Sequence, residues 1–245
     1  MKIALPDAAG RLVPYSLRGT PVDAMPLGGT PARTIFAAAH MVADPFAARE
    51  PIGPAAVDWE ATMAFRRYLA GLGLGIAEAM DTAQRGMGLD WPGALDLITR
   101  TLAEVPDALV FSGCGTDHLA PADARSPDDV RRAYLNQVEA IQAVDGRLIL
   151  MASRALAQVA TGPRDYLDVY RDVLGACDKP VILHWLGEMF DPALAGYWGA
   201  DRFEDALETA LQVIAENTAK VDGIKISLLD KEKDCLLYTS DAADD

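Results

Sequence analysis

The chain has 245 residues, with 22 Lys and Arg against 36 Asp and Glu, a formal net charge of −14 and 51% hydrophobic residues. This composition is ordinary for a globular fold and too apolar for disorder. The acid excess argues against nucleic acid and anionic membrane as partners, since both are held by clustered Lys and Arg, and no run reaches the ~20 apolar residues of a membrane span.

The first elements are two short extended stretches, Ile3–Leu5 and Arg11–Leu17, flanking Asp7-Ala8-Ala9-Gly10. They predict a hairpin, because Asp and Gly favour the turn between them. Pro21, Pro26, Gly28, Gly29 and Pro31 then form a linker, so residues 1–30 read as a hairpin and linker apart from the rest.

Six apolar runs follow: Thr34–Ala39, Leu74–Ala79, Ala108–Ser112, Arg147–Ala152, Pro180–His184 and Asp222–Leu228. They do not alternate with polar residues, which is the pattern of parallel strands buried on both faces. Their starts recur roughly every 38 residues, about the length of a strand, a helix and two loops. The segments between them carry helix signals. Trp59, Met63 and Leu69 mark the first helix, and Pro92 opens the second, with Leu95, Ile98 and Leu102. Ser126-Pro127-Asp128-Asp129 combines a cap, a first-turn Pro and acids near the positive end of the helix dipole. Pro163 opens the next helix, and Asp201 with Glu204 caps the last before Phe203, Leu207, Leu211 and Ile214.

Strict alternation of strand and helix implies an α/β fold with a parallel sheet. A dinucleotide-binding sheet wants a Gly-rich turn after its first strand, and here that place reads Ala37-Ala38-Ala39-His40. The (β/α)8 TIM barrel is therefore favoured, incomplete, with about six of eight βα units over residues 31–234. Two further units would carry such a barrel to roughly residue 330. Residues 235–244 read CLLYTSDAAD, which matches one frame of a transposase-type sequencing-library adapter, so 235–245 is expected to be a non-native tail. Without it the acid excess shrinks but keeps its sign. The three cysteines, Cys114, Cys177 and Cys235, have no metal or disulfide spacing, which points to a reducing, cytoplasmic setting.

Active sites of such barrels lie at the C-terminal ends of the strands. All three histidines fall there: His40 after the first strand, His118 in Gly113-Cys114-Gly115-Thr116-Asp117-His118, and His184 ending the fifth. The even strands bring Glu78, Asp81 and Thr82, then Ser153 and Arg154. Lys225 lies inside the apolar sixth strand. Burying an ammonium is costly, so its pKa should fall, and a neutral amine is the nucleophile of Schiff-base chemistry. The bland alternative is a lysine turned outward or paired with an acid such as Glu188.

The strand Gly223-Ile224-Lys225 resembles the Schiff-base strand of the dihydrodipicolinate synthase/N-acetylneuraminate lyase superfamily. Val57-Asp58-Trp59-Glu60 is similar to that family's first-helix entry, Arg147-Leu148-Ile149-Leu150 occupies its fourth strand, and Lys179-Pro180-Val181-Ile182-Leu183-His184-Trp185 resembles its fifth. The likeness runs in register from about Ala32 to Lys233. It implies a class I aldolase on a (β/α)8 barrel, with Lys225 as imine former and pyruvate or a related 2-oxo acid as substrate. Two motifs depart from the family. Its catalytic Tyr closes strand four, where this chain has Ala152-Ser153-Arg154. Its Gly-Thr-Thr carboxylate turn follows strand two, where this chain has Glu78-Ala79-Met80-Asp81-Thr82. Only Lys225 carries over residue for residue, and the pattern looks most like a subfamily with its own N-terminal hairpin.

The leading expectation is thus a lyase acting on a small carbonyl substrate, a 2-oxo acid or sugar acid, through an imine on Lys225 and without a separate cofactor. His184, or His118 with Asp117, would move protons. Arg154 would hold a carboxylate, with Ser153, Glu78, Asp81, Thr82 and His40 around the substrate. The second reading is a divalent-metal lyase, isomerase or hydrolase using His40, His118, His184 and Glu78. The third is a barrel that binds ligand without catalysis. The resemblance also implies self-association into dimers or tetramers. The exact polypeptide is expected to be inactive and prone to aggregate, because first and sixth strands without neighbours leave open edges.

Overall fold

The structure, a computed structural model, describes residues 2–16, 18, 33–47, 56–233 and 235. The expected linker prolines and glycines and residues 236–245 of the expected tail lie outside them; Cys235 is exposed. The chain divides into two compact units, Met1–Pro31 and Ala32–Asp245.

In the first unit, β1 (Lys2–Pro6) pairs antiparallel with β2 (Leu12–Ser16) as expected. Asp7 makes the turn, its carboxylate accepting from the backbone N–H groups of Ala9 and Arg11, and Gly10 supplies the left-handed residue at φ 76°.

In the second unit, six strands form one parallel sheet in chain order: β3 (Phe36–Ala38), β4 (Gly75–Glu78), β5 (Val110–Cys114), β6 (Arg147–Leu150), β7 (Val181–Leu186) and β8 (Val221–Ser227). All six expected strands are present. The sheet curls into an incomplete TIM barrel, and among the described residues β3 and β8 are its edges.

Helices α1 (Trp59–Gly71), α2 (Trp91–Glu104), α3 (Pro127–Gln142), α5 (Pro163–Gly175) and α6 (Phe203–Glu216) follow the strands. Their starts are set by side chains that satisfy orphan first-turn donors. Asp58 accepts from Ala61 N, Asp90 from Gly93 N and Ser126 from Asp129 N. The last helix differs from expectation. Its cap position is Arg202, with no side-chain cap bond, rather than Asp201. A short helix, α4 (Arg154–Val159), has no counterpart among the expected elements; Ser153 caps it by accepting from Leu156 N. It is too short to show periodicity, and Gly162-Pro163 ends the run before a stripe develops.

Alternation along each strand sorts the side chains. Val181, Leu183 and Trp185 face the helices and join the large core with Leu148, Leu150, Tyr166 and Tyr170. Ala77, Phe111, Ile149 and Met151 pack with Met80 on the concave face. No helix among the described residues is long and apolar enough to cross a membrane.

Candidate active site

The chain turns sharply at the end of β4. Ala79 has φ 52°, a left-handed conformation that costs a non-glycine residue on the order of 1 kcal/mol. It is held there from both sides. Its N–H donates to the Glu78 carboxylate at 2.8 Å, and its carbonyl accepts from Arg85 Nη1 at 3.2 Å. The turn sends the chain into a 3-10 segment, Asp81–Ala83, which brings Asp81 to a cleft at the C-terminal ends of the strands. Arg85, Asp117, Arg154, His184 and Asp191 line the same cleft.

At the cleft wall, parallel pairing sets His184 on β7 directly against Lys225 on β8, which itself lines the concave face beside the cleft. Lys225 Nζ lies 3.0 Å from His184 Nε2, and Ser227 Oγ lies 3.2 Å from the same nitrogen. The His184 ring is fully buried. Its Nδ1 has no hydrogen bond and faces Asp81 Oδ2 at 3.8 Å. Burial, and then the nearby Lys225 charge, push the imidazole pKa down to about 3. Burial lowers the Lys225 amine from its ordinary value, and the Asp81 charge opposes that shift. Burial raises the Asp81 carboxyl, against the pull of Lys225, Arg154 and Arg85.

A second network anchors the cleft wall. Arg85 is buried and grips Asp117 with both arms, Nε to Oδ2 at 2.9 Å and Nη2 to Oδ1 at 2.8 Å. It also donates to Gly113 O and to Gln137 Oε1, and stacks over the Trp91 ring. Gln137 in turn reaches Asp117 Oδ1 and His118 Nδ1. Burial raises the Asp117 carboxyl, but hydrogen bonds from Arg85 and Gln137 more than offset it, so its pKa is net lowered. His118 is lowered by burial and by Arg85, against Asp117. This cluster is a brace whose members are already bonded to each other.

Sequence reasoning groups residues that the fold separates. Glu78 points away from the cleft, between β4 and the helices. It is fully buried and holds Arg66 by two hydrogen bonds of 2.8 and 2.9 Å, with Thr101 Oγ1 at 2.7 Å. The expected ligand role for Glu78 is therefore corrected to a structural ion pair. Strand alternation explains it, since Ala77 faces the concave side and its neighbour cannot. His40 is exposed and stacks on Phe65, and its carbonyl accepts from Arg66; it does not line the cleft. Among the described residues no three His, Cys, Asp or Glu side chains gather to hold a metal, so the set His40, His118, His184 and Glu78 does not converge. Thr82 is exposed beside Asp81. Ser153 is buried, bonded to Thr116 Oγ1 at 2.6 Å and committed to its cap. Arg154 does reach the cleft rim, where it pairs with Asp191.

Arg85, Gln137, Asp191 and Ser227 are site residues that the sequence pattern does not single out. Ser227 is within its reach, because it follows Lys225 by two and so shares its face. The other three join the site by long-range pairing, which one sequence does not display.

Solved structures with the same fold are dihydrodipicolinate synthases. That of Bacillus anthracis is 14% identical, with TM-score 0.61, matching 88% of this chain and 62% of its own. That of Agrobacterium tumefaciens is 14% identical, with TM-score 0.58, at 85% and 63%. The chloride-inhibited enzyme of Acinetobacter baumannii, complexed with pyruvate, is 14% identical, with TM-score 0.58, at 84% and 59%. The chain thus spans about three fifths of the length of these proteins. No curated protein matches it. Residues 3–240 match one family model, and the chain belongs to that family, described as protein of unknown function (DUF993).

Proposed function

We propose that the chain forms the core of a class I lyase of the aldolase type, in which Lys225 makes an imine with a small carbonyl substrate. The contact between Lys225 Nζ and His184 Nε2 at 3.0 Å carries this reading. A lysine becomes nucleophilic by losing its proton, and burial on β8 favours the neutral amine. A neutral imidazole beside it accepts an N–H without adding charge.

In the proposed step the amine nitrogen bonds to the carbonyl carbon, and the C=O π pair moves to oxygen. That oxygen takes one proton from the nitrogen and one from an acid, and leaves as water. The iminium then accepts the electron pair of an adjacent C–C bond when that bond breaks, or returns it when the bond forms. Asp81 suits the acid–base role better than either histidine. Burial raises its carboxyl, so it holds and releases a proton closer to neutrality. His184, held down to about 3, stays neutral and serves as the bridge between Asp81 and Lys225. Asp117 with His118, the alternative proton carrier, is tied into the Arg85 brace.

The sequence resemblance implies a 2-oxo acid or a sugar acid as substrate, with self-association into an oligomer, and no cofactor is needed beyond the imine itself. The test is reductive trapping with cyanoborohydride on a panel of 2-oxo acids and neutral hydroxyketones. A mass increment at Lys225, lost in Lys225→Arg, is the expected result. The absence of any Lys225 adduct across the panel overturns the reading.

A further inference from the structure

The charges around Lys225 point to a narrower substrate class. We infer that the carbonyl compound this site accepts carries neutral hydroxyl groups beside its carbonyl carbon rather than a carboxylate. The inference rests on Lys225 as the imine-forming residue.

Three carboxylates, Asp81, Asp117 and Asp191, and two guanidiniums, Arg85 and Arg154, line the cleft that His184 shares. Lys225 adjoins that cleft through His184 and itself lines the concave face with Phe111, Ile149 and Ile182. Both guanidiniums are already engaged. Arg85 is buried and bidentate on Asp117, and Arg154 pairs with Asp191. Asp81 has no Lys or Arg partner within ion-pair distance among the described residues, and it faces His184 Nδ1 at 3.8 Å; Lys225, Arg154 and Arg85 act on it from further off. The carboxylate that faces the His184–Lys225 pair therefore has no direct ion-pair partner.

A 2-oxo acid bound as an imine places its own carboxylate one bond from the iminium carbon. Beside Lys225 that group would meet Asp81, and both guanidiniums that line the cleft are already paired. A hydroxyl at the same place reverses the interaction, since it donates to a carboxylate. The unpartnered Nδ1 of His184, buried and turned to the same space, offers a second neutral group to a hydroxyl. The strained Ala79 turn, braced by Arg85 and Glu78, fixes Asp81 in this position rather than leaving it to a loose loop.

The experiment compares dihydroxyacetone with pyruvate in cyanoborohydride trapping of the whole chain at neutral pH. Adducts at Lys225 are counted by peptide mass, and each rate is divided by that of free Nα-acetyl-lysine to remove intrinsic reactivity. Dihydroxyacetone is expected to label Lys225 roughly tenfold or more faster than pyruvate on this scale, a factor that one unscreened charge readily supplies. Asp81→Asn also removes the proposed acid, so it is expected to slow dihydroxyacetone labelling more than pyruvate labelling and thereby erase most of that ratio. Asn keeps the size and shape of Asp81, and no side-chain cap bond holds this 3-10 segment, so the substitution spares the fold. Pyruvate labelling Lys225 as fast as dihydroxyacetone overturns the substrate class and leaves the imine reading standing. A ratio unchanged in Asp81→Asn overturns the role of Asp81. Labelling by neither compound fails the imine reading itself.

Discussion

Lys225 Nζ sits 3.0 Å from His184 Nε2, across one rung of the β7–β8 ladder. Two groups this close in a buried setting do not both carry a positive charge, and the imidazole stays neutral, with its pKa near 3. The lysine keeps a lowered pKa, while Asp81 pulls it back up. Imine formation needs the neutral amine, so its rate is expected to rise with pH through a midpoint below the ordinary lysine value of 10.5. Asp81→Asn removes the opposing charge and is expected to move that midpoint lower still. Trapping rates measured across pH 6 to 11, in wild type and Asp81→Asn, check both directions. A wild-type midpoint at the ordinary lysine value contradicts the burial argument.

The same histidine links the site to stability in acid. Its folded pKa lies below its unfolded value of 6.5, so the unfolded chain binds a proton that the folded chain refuses. The folded state therefore holds this stability in full above about pH 6.5 and loses it as pH falls toward 3. A tenfold change in proton affinity is worth about 1.4 kcal/mol, so the histidine contributes on the order of several kcal/mol. His184→Leu is expected to flatten the difference between urea midpoints at pH 7 and pH 4.5. An equally steep acid limb in the variant contradicts the assignment to His184.

Much of the fold can be read in the sequence because strand burial and helix caps are local signals. The six apolar runs correspond to β3 to β8, and Ser126 and Pro127 start α3 where the motif places them. The barrel site is half legible. Lys225 and His184 stand out because each sits at a strand position with a fixed facing. Glu78 is misplaced because one step along a strand turns a side chain to the opposite face, and the exact strand end is the weakest part of such a reading. Arg85 escapes notice because nothing in Gln84-Arg85-Gly86 announces Asp117 or Gln137, which lie far along the chain.

The correction at Glu78 has its own consequence. Arg66 and Glu78 are both fully buried and bonded to each other, and Glu78 also receives Thr101 and the Ala79 N–H. Removing one partner strands the other charge in the core, a change worth about 3–5 kcal/mol. Glu78→Ala is expected to lose stability on that scale in urea unfolding. Glu78→Ala combined with Arg66→Met should recover part of the loss, because no lone charge remains. A Glu78→Ala variant of normal stability with weakened substrate trapping would return Glu78 to the site.

The two edges of the sheet make a further prediction. Among the described residues β3 and β8 each pair on one side only, and the concave face beside them carries Phe36, Phe111, Ile149 and Ile182. Unpaired N–H and C=O groups next to apolar side chains are a template for another strand. The chain is expected to self-associate in a concentration-dependent way, visible as a rising weight-average mass in sedimentation velocity. Pairing along β8 would bring a second chain against the strand that carries Lys225, so trapping at Lys225 should slow as association proceeds. A Lys placed at the exposed position of the short β3 edge, as in Ala38→Lys, should weaken association through that edge and leave the β8 edge unchanged. A monodisperse monomer at high concentration contradicts the prediction, since it would mean that both edges are protected by something other than strand pairing.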